Sequence, residues 1–406
     1  MNINDKSAKR TCTSCQMCAA VCPKDAIKIV LDDYGFYRPV IDDLRCVDCS
    51  ICTKVCYKFD THIEAFGKDK LACTKLYGAY AKDKEVVANT TSGGLADLLA
   101  CQLMREGYKC VGVVYDSEHD AAIDKIVTSE DELKGFRGSK YMQSYTLDAF
   151  KEIAKNCKNE KYAVFGTPCH IYALDKYLRQ HKVREQHMLI DLYCHGCPSM
   201  NVWKKYIQGI KAQIAQGRID NANFRSKIRG WGNFYVVVVV DGKPVYYSNN
   251  KDNEFFDIFF SDQVLNEACN DCLLRSSLAY TDIRLGDFWG KQYVLNNTGV
   301  SALSLVTDKS KVLFREISGS VNYKEERYED FLPWQSWGKF HNLNPRLRAE
   351  LLSQLQDEAI PLRESVNTIY RHQSLRSKLA RYGKKIVHAM PSHVEKYIRW
   401  LFYKVH

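Results

Sequence analysis

"CTSCQMCAAVCP", residues 12–23, sets Cys12, Cys15 and Cys18 at three-residue intervals, adds Cys22 after three more residues and closes on Pro23. "CVDCSICTKVC", residues 46–56, repeats the arrangement with Cys46, Cys49, Cys52 and Cys56. Two matching runs of four thiols define two four-ligand sites. Zinc knots are the competing use of such thiols, and the matched spacing argues against them.

The run C-x2-C-x2-C-x3-C is the ligand pattern of two-cluster bacterial ferredoxins, in which three thiolates hold one cube and the fourth reaches the other. It predicts one [4Fe–4S] cluster on Cys12, Cys15, Cys18 and Cys56 and a second on Cys46, Cys49, Cys52 and Cys22. Tyr57 stands where the second run would carry proline, which alters a turn and no ligand. Two cubes in one small module form a wire, so a donor or acceptor is expected downstream.

Composition agrees with redox chemistry. The chain has 406 residues, enough for two or three domains, and 46% are hydrophobic, enough for real cores. The first eleven residues lack the apolar stretch of a secretory signal and no run suits a membrane span, which leads us to expect a cytoplasmic protein. Seventeen cysteines in that compartment point to metal rather than disulfides. The formal charge of +10 is concentrated at the end, where residues 371–406 carry nine Lys/Arg against Glu395 alone. The rest is near neutral, so no nucleic-acid surface is expected.

From Leu76 to about Asp191 short apolar runs alternate with helical periodicity, the mark of an α/β unit. "CVGVVY" (110–115), "YAVF" (162–165) and "HMLIDLY" (187–193) read as strands. After "NTTSGG", Leu95, Leu98, Leu99 and Leu103 share one helical face, so Gly93 and Gly94 open a helix behind Thr91 and Ser92. Free N–H groups and hydroxyls there suit a phosphate, although an ordinary cap looks the same in sequence. "RGSKYMQS" (137–144) offers Arg137, Ser139 and Lys140 for a second anion contact or for solvent. Cys169 and Cys194 follow two of the strands at ends that share a crevice in parallel sheets. Together with Cys269 and Cys272 of "EACNDC" they make a candidate third cluster site, in which Cys197 is an alternative to Cys194. Cys73, Cys101, Cys110 and Cys157 have no cysteine neighbours and read as small buried apolar residues.

At "TSGGL", "GSKY", "FGTPCHIYAL", "IDLYCHG" and "CNDCLLRSSLAYTDIRLGDFWG" the sequence resembles the beta-subunit family of deazaflavin-coenzyme (F-420) hydrogenases and dehydrogenases, which includes ferredoxin-dependent chlorophyll-pigment reductases. The likeness runs from about Leu76 to Ile317, and fusion to a two-cluster ferredoxin domain is a family arrangement. It implies an iron–sulfur flavoprotein oxidoreductase that passes electrons between clusters and FAD, with hydride exchange to a soluble substrate. It further implies that Thr91, Ser92, Gly93 and Gly94 line the flavin diphosphate, that Ser139 and Lys140 flank it, and that Cys169, Cys194, Cys269 and Cys272 hold the third [4Fe–4S] cluster. Asp287, within "DIRLGDFWG", would be a polar contact near the flavin or simply a strand end.

The expected architecture is an α+β ferredoxin-like domain (1–66), an α/β domain with a mainly parallel sheet (67–330) and a basic helical extension (331–406). In the extension, Leu375, Leu379 and Tyr382, and then Ile398, Leu401, Phe402 and Val405, repeat at helical spacing among Lys and Arg, with Pro391 and Ser392 dividing two helices. Such helices rest on the inner face of an anionic membrane, dock on an acidic partner, or pack on the body. Two further readings remain open: a subunit that relays electrons to a partner enzyme without a substrate of its own, and a non-redox protein with structural zinc in its middle domain.

Overall fold

The cysteine-rich segment is built on a hairpin, β1 (Ile27–Leu31) paired antiparallel with β2 (Tyr37–Ile41), with one short helix before it (Met17–Ala20) and one after it (Ile51–Lys54). Each helix is entered through a left-handed residue, Gln16 at φ 63° and Ser50 at φ 62°. These turns fold each cysteine run back on itself. In the computed structural model, residues 1–214, 217–390, 394–395, 397–398 and 400–401 are described. Pro391 and Ser392, the expected break in the tail, and Phe402 and Val405 lie outside them.

A nine-stranded sheet forms the centre, in the order β14-β3-β13-β12-β8-β7-β4-β5-β6. Its strands are β3 (Lys75–Ala81), β4 (Lys109–Asp116), β5 (Ala121–Val127), β6 (Ser144–Tyr145), β7 (Tyr162–Phe165), β8 (Met188–Leu192), β12 (Ile283–Asp287), β13 (Ser301–Leu305) and β14 (Val321–Glu326). The expected mainly parallel sheet is corrected to a mixed one. Pairs β12/β8, β8/β7, β7/β4 and β5/β6 are parallel, and β14/β3, β3/β13, β13/β12 and β4/β5 are antiparallel. The three strands legible in the sequence are the parallel middle. Beyond them β4 turns straight back into β5, and β3 is inserted between β13 and β14 from far along the chain.

A second, antiparallel sheet of β9 (Ile219–Ser226), β10 (Tyr235–Val240) and β11 (Lys243–Asn249) shares a core with the helix Met200–Lys211. Two helices after residue 331 belong to the same core: Leu347, Leu351 and Leu355 from Pro345–Gln356, and Leu362, Val366 and Ile369 from Leu362–His372, are buried beside Trp203 and Phe255. The next helix, Leu375–Ala389, differs, since Leu375, Leu379 and Ile386 are 74%, 64% and 61% exposed.

The N-terminal segment shares its packing with the body. Cys15, Met17, Val21, Val55 and Tyr57 bury themselves with Phe150, Ile153, Tyr172 and Leu189. Gln16 is the polar clasp: Nε2 donates to the Ser144 carbonyl at 3.1 Å, and Oε1 accepts from the N–H groups of Thr146 and Leu147 at 3.0 Å each. We predict that Gln16→Ala strands those two buried N–H groups and costs about 2–6 kcal/mol, from about 1–3 kcal/mol for each buried group left unpaired. A lowered melting temperature and faster hydrogen exchange over residues 12–22 of the full chain are the expected readouts.

Candidate redox centre

Folding back of the cysteine runs produces two hollows. The first, about 370 Å³ counting its mouth, is lined by Cys12, Cys15, Cys18 and Cys56. The second, about 350 Å³, is lined by Cys22, Cys46, Cys49 and Cys52. Each therefore takes three thiols from one run and the fourth from the other. Donors aim at the sulfurs: the Ser14 N–H at Cys12 Sγ (3.4 Å), the Ala26 N–H at Cys22 Sγ (3.3 Å) and Asn2 Nδ2 at Cys46 Sγ (3.7 Å). Hydrogen bonds of this kind tune cluster potentials. The first hollow is the inner one, with Cys15 and Cys18 buried, whereas Cys49 of the second is exposed.

Beyond the inner hollow lies a second gathering of cysteines, built from three segments. Cys169 sits in the first turn of the helix Pro168–Gln180 just after β7, with Thr167 Oγ1 3.2 Å from its sulfur. Cys194 and Cys197 follow β8. Cys269 closes one short 3-10 turn and Cys272 opens the next. Arg275, three residues further on, ties the loops together by donating from Nη2 to the carbonyls of Cys269 (2.6 Å) and His195 (2.8 Å). Gly196 allows the contact, because a Cβ there would lie 2.7 Å from Leu265 Cδ1 and 3.4 Å from Cys269 Cβ.

The electrostatics follow this layout. Cys169 lies within charge–charge reach of Cys15, Cys194 and Cys269, while Cys194 and Cys269 each feel Cys272. Cys197 feels Cys194 and Cys269, and its charge reaches Tyr37. Burial pushes these thiols up, Cys194 and Cys15 to about 11 and Cys269 to about 12. A bound cation reverses that preference, because a coordinating thiol is deprotonated outright. Tyr57 joins the two gatherings: buried beside Tyr172, its hydroxyl accepts from the N–H of Leu273 at 3.1 Å. The turn after Cys56 is thereby linked to the residue after Cys272.

The glycine-rich loop lies at the same carboxyl edge, a few strands away. Thr91 Oγ1 accepts from the Ser139 N–H at 2.9 Å, so the loops holding Thr91–Gly94 and Ser139–Lys140 meet. Gly94, at φ 83°, caps the helix Leu95–Arg105, whose first-turn N–H groups have no partner within the helix. The expectation of a free N–H at Gly93 is corrected: it donates to Ser301 Oγ at 2.9 Å, and Ser92 Oγ donates to the Val300 carbonyl at 2.8 Å. Gly93 is required by packing, since a Cβ there would lie 2.3 Å from the Ala79 carbonyl oxygen. Lys140 turns back to cap the carbonyls of Gly135 (2.9 Å) and Arg137 (3.1 Å), and burial lowers its pKa to about 8. Asp287, at the end of β12, is held by Arg225 Nη1 (2.9 Å) and Trp231 Nε1 (3.1 Å).

Two residues here carried no motif signal. Arg225 is buried against Phe234 and Trp289 with Asp287 as counter-charge, and Lys227 donates to the carbonyls of Val87, Ser92 (2.8 Å) and Thr298 (2.7 Å). Both come from "FRSK" at the end of β9, and only the fold carries that strand over the loop. Of the four cysteines read as buried apolar residues, Cys110 and Cys157 are buried and Cys101 is half-buried. Cys73 corrects the expectation: it ends a five-residue helix at the surface, exposed, with its thiol 3.6 Å from the Asp69 carbonyl.

Comparison with known proteins gives matches over most of this region. Residues 76–151 match the N-terminal domain, and residues 159–330 the C-terminal domain, of the coenzyme F420 hydrogenase/dehydrogenase beta subunit. Residues 11–58 match a 4Fe-4S dicluster domain. A 116-residue stretch is 28% identical to the coenzyme F420 hydrogenase subunit beta of Methanococcus voltae, covering 28% of this chain and 40% of that relative. The match thus spans less than half the length of the curated relative. Among solved structures, a chain of the F420-reducing [NiFe] hydrogenase complex from Methanosarcina barkeri superposes with a TM-score of 0.46 at 14% identity, over 77% of this chain and 92% of that one.

The close approach at Gly93 makes a prediction. Gly93→Ala forces a Cβ against the backbone of β3 and should cost about 1–3 kcal/mol, as overpacking does. Thermal unfolding should register the loss whether or not any ligand is supplied.

Proposed function

Because the chain belongs to the coenzyme F420 hydrogenase/dehydrogenase beta-subunit family and carries a 4Fe-4S dicluster domain, we propose that it is an iron–sulfur flavoprotein oxidoreductase. Electrons run between the ferredoxin-like module, a third [4Fe–4S] cluster and FAD, with hydride exchange to a soluble substrate or coenzyme. Residues 1–66 are the module, 67–330 the cluster- and flavin-binding body, and 331–406 the helical extension. The bound clusters supply one-electron carriers and the flavin joins them to two-electron chemistry.

The observation that carries this reading is the position of Cys169. Its thiol is within charge–charge reach of both Cys15 of the inner hollow and Cys194 and Cys269 of the second gathering, at the sheet edge where the Thr91–Gly94 loop also lies. Cys12, Cys15, Cys18 and Cys56 hold the inner cluster, Cys22, Cys46, Cys49 and Cys52 the outer one, and Cys169, Cys194, Cys269 and Cys272 the third. Cys194 is preferred to Cys197 because it is within charge–charge reach of all three other ligands. The matched C-x2-C-x2-C-x3-C runs of the adjoining module, which a third redox carrier would continue, support iron–sulfur over zinc here. For the flavin, the helix N-terminus at Gly94 and the loop bearing Ser139 and Lys140 suit a diphosphate, and Thr91, Ser92 and Gly93 shape the loop. Asp287 acts through Arg225.

A relay without its own substrate is the second reading, favoured by the naming of the Methanococcus voltae relative as a hydrogenase subunit. Anaerobic turnover with reduced ferredoxin and soluble acceptors separates the two, since a pure relay reduces only protein partners. For the clusters, the full chain should carry about twelve irons, and Cys269→Ser/Cys272→Ser about eight, with FAD retained. Twelve irons in that variant would remove the third cluster, and absence of FAD from the wild type would remove the flavoprotein reading.

The tail adds a membrane proposal. The helix Leu375–Ala389 carries five Lys/Arg and no acid, with its leucine stripe open to solvent, and among the described residues no helix is long and apolar enough to cross a membrane. We predict sedimentation with anionic vesicles that salt weakens, since each basic residue contributes about 1 kcal/mol near such a surface. Leu379→Glu/Ile386→Glu should abolish it. Binding only to an acidic protein would point to the partner reading instead.

A further inference from the structure

Beside the cysteines, two imidazoles and a carboxylate converge. The ligand atoms of His195, Asp262 and His341 all lie within 4.8 Å of one another. They come from three distant segments: the loop between Cys194 and Cys197, the turn after the helix Glu254–Phe259, and the stretch before the helix Pro345–Gln356. Asp262 Oδ1 is 2.7 Å from His195 Nε2, and Oδ2 is 2.9 Å from His341 Nδ1. Ligands about 2.1 Å from one ion and at right angles to each other stand roughly 3 Å apart, so these separations suit a shared cation.

The far side of the His195 ring strengthens the case. His195 Nδ1 lies 3.0 Å from Ser336 Oγ, and His341 Nε2 lies 2.9 Å from the His195 carbonyl oxygen. Metal-binding histidines characteristically donate their second N–H to such an oxygen, the role Ser336 Oγ would serve for His195; at His341 the Arg275 guanidinium, which can only donate, competes with the carbonyl for Nε2. Arg275 Nη2 is also 2.9 Å from His341 Nε2, on the side away from the carboxylate, and that guanidinium is shared among the carbonyls of Lys339, His195 and Cys269. Asp262 holds a left-handed φ of 64°, which is uncommon outside glycine. Side-chain exposures of 29% for His195 and 26% for Asp262, against 5% for His341, leave one side open to water or a further ligand.

We propose that His195 Nε2, the Asp262 carboxylate and His341 Nδ1 form a site for one divalent first-row cation of the zinc or ferrous type. Two imidazoles and one carboxylate suit such borderline ions, whereas magnesium and calcium prefer oxygen alone. The ion staples the Cys194–Cys197 loop to the stretch before the helix Pro345–Gln356. The site shares no ligand with the proposed clusters and stands or falls apart from them.

The test uses the cluster-loaded full chain, dialysed anaerobically against Zn2+ and then against a weak chelator, with zinc and iron measured together. The wild type should retain one zinc per chain beyond its iron. Asp262→Asn, which keeps the size and tolerates the left-handed backbone, and His341→Gln should retain none, with iron unchanged. Ser336→Ala removes only the oxygen behind His195 and should weaken affinity about 10- to 100-fold. Equal zinc in wild type and both ligand variants would place the metal on thiols such as Cys73 and overturn the site. So would no zinc in the wild type, or iron lost together with zinc in both variants.

Discussion

A buried thiolate without a cation is the constraint on which the rest of this structure depends. Cys15, Cys169, Cys194 and Cys269 are held where burial alone keeps them protonated, and a protein gains nothing by gathering such thiols unless positive charge joins them. The surroundings answer that need in part: N–H groups aim at Cys12 and Cys22, and Arg275 stands behind Cys269 and Cys194. For Cys15 the remaining charge belongs to the iron that a 4Fe-4S dicluster domain binds; for Cys169, Cys194 and Cys269 it is what the proposed third cluster would supply.

The same constraint explains why the N-terminal module and the body share one core. The proposed wire would work only with its end fixed next to the following carrier, and Gln16, Asn266 and Tyr57 tie the N-terminal segment to the body. Asn266 Nδ2 donates to Ser14 Oγ at 2.9 Å, between Cys12 and Cys15 on one side and three residues from Cys269 on the other. The hairpin is held from the opposite side, where Ser199 Oγ donates to the Tyr34 carbonyl at 2.6 Å and Met200 N–H to that of Gly35 at 2.8 Å. Rigid docking at the inner hollow and exposure of Cys49 at the outer one give the module an inside and an outside end.

The sequence was legible where chemistry repeats at short range. The cysteine runs, the three parallel strands and the glycine helix start are local patterns whose spacing follows from ligand geometry or from strand and helix periods. What stayed hidden is long-range. Nothing in "KLYGAYA" says that β3 pairs between β13 and β14, and that insertion makes the sheet mixed. Gly93 read as a phosphate glycine, yet the strand it must clear lies over ten residues upstream. Arg225, Lys227, Tyr57 and the pair His195 and His341 have no spacing to betray them, because their partners come from other segments.

Electron paramagnetic resonance of the dithionite-reduced full chain tests the central claim, a wire that continues from the inner cluster into the body, most directly. The account predicts about three [4Fe–4S]+ spins per chain, each cluster giving one, with magnetic coupling between the inner and third clusters that disappears in Cys169→Ser. About two spins, with a lineshape indifferent to that substitution, would contradict it.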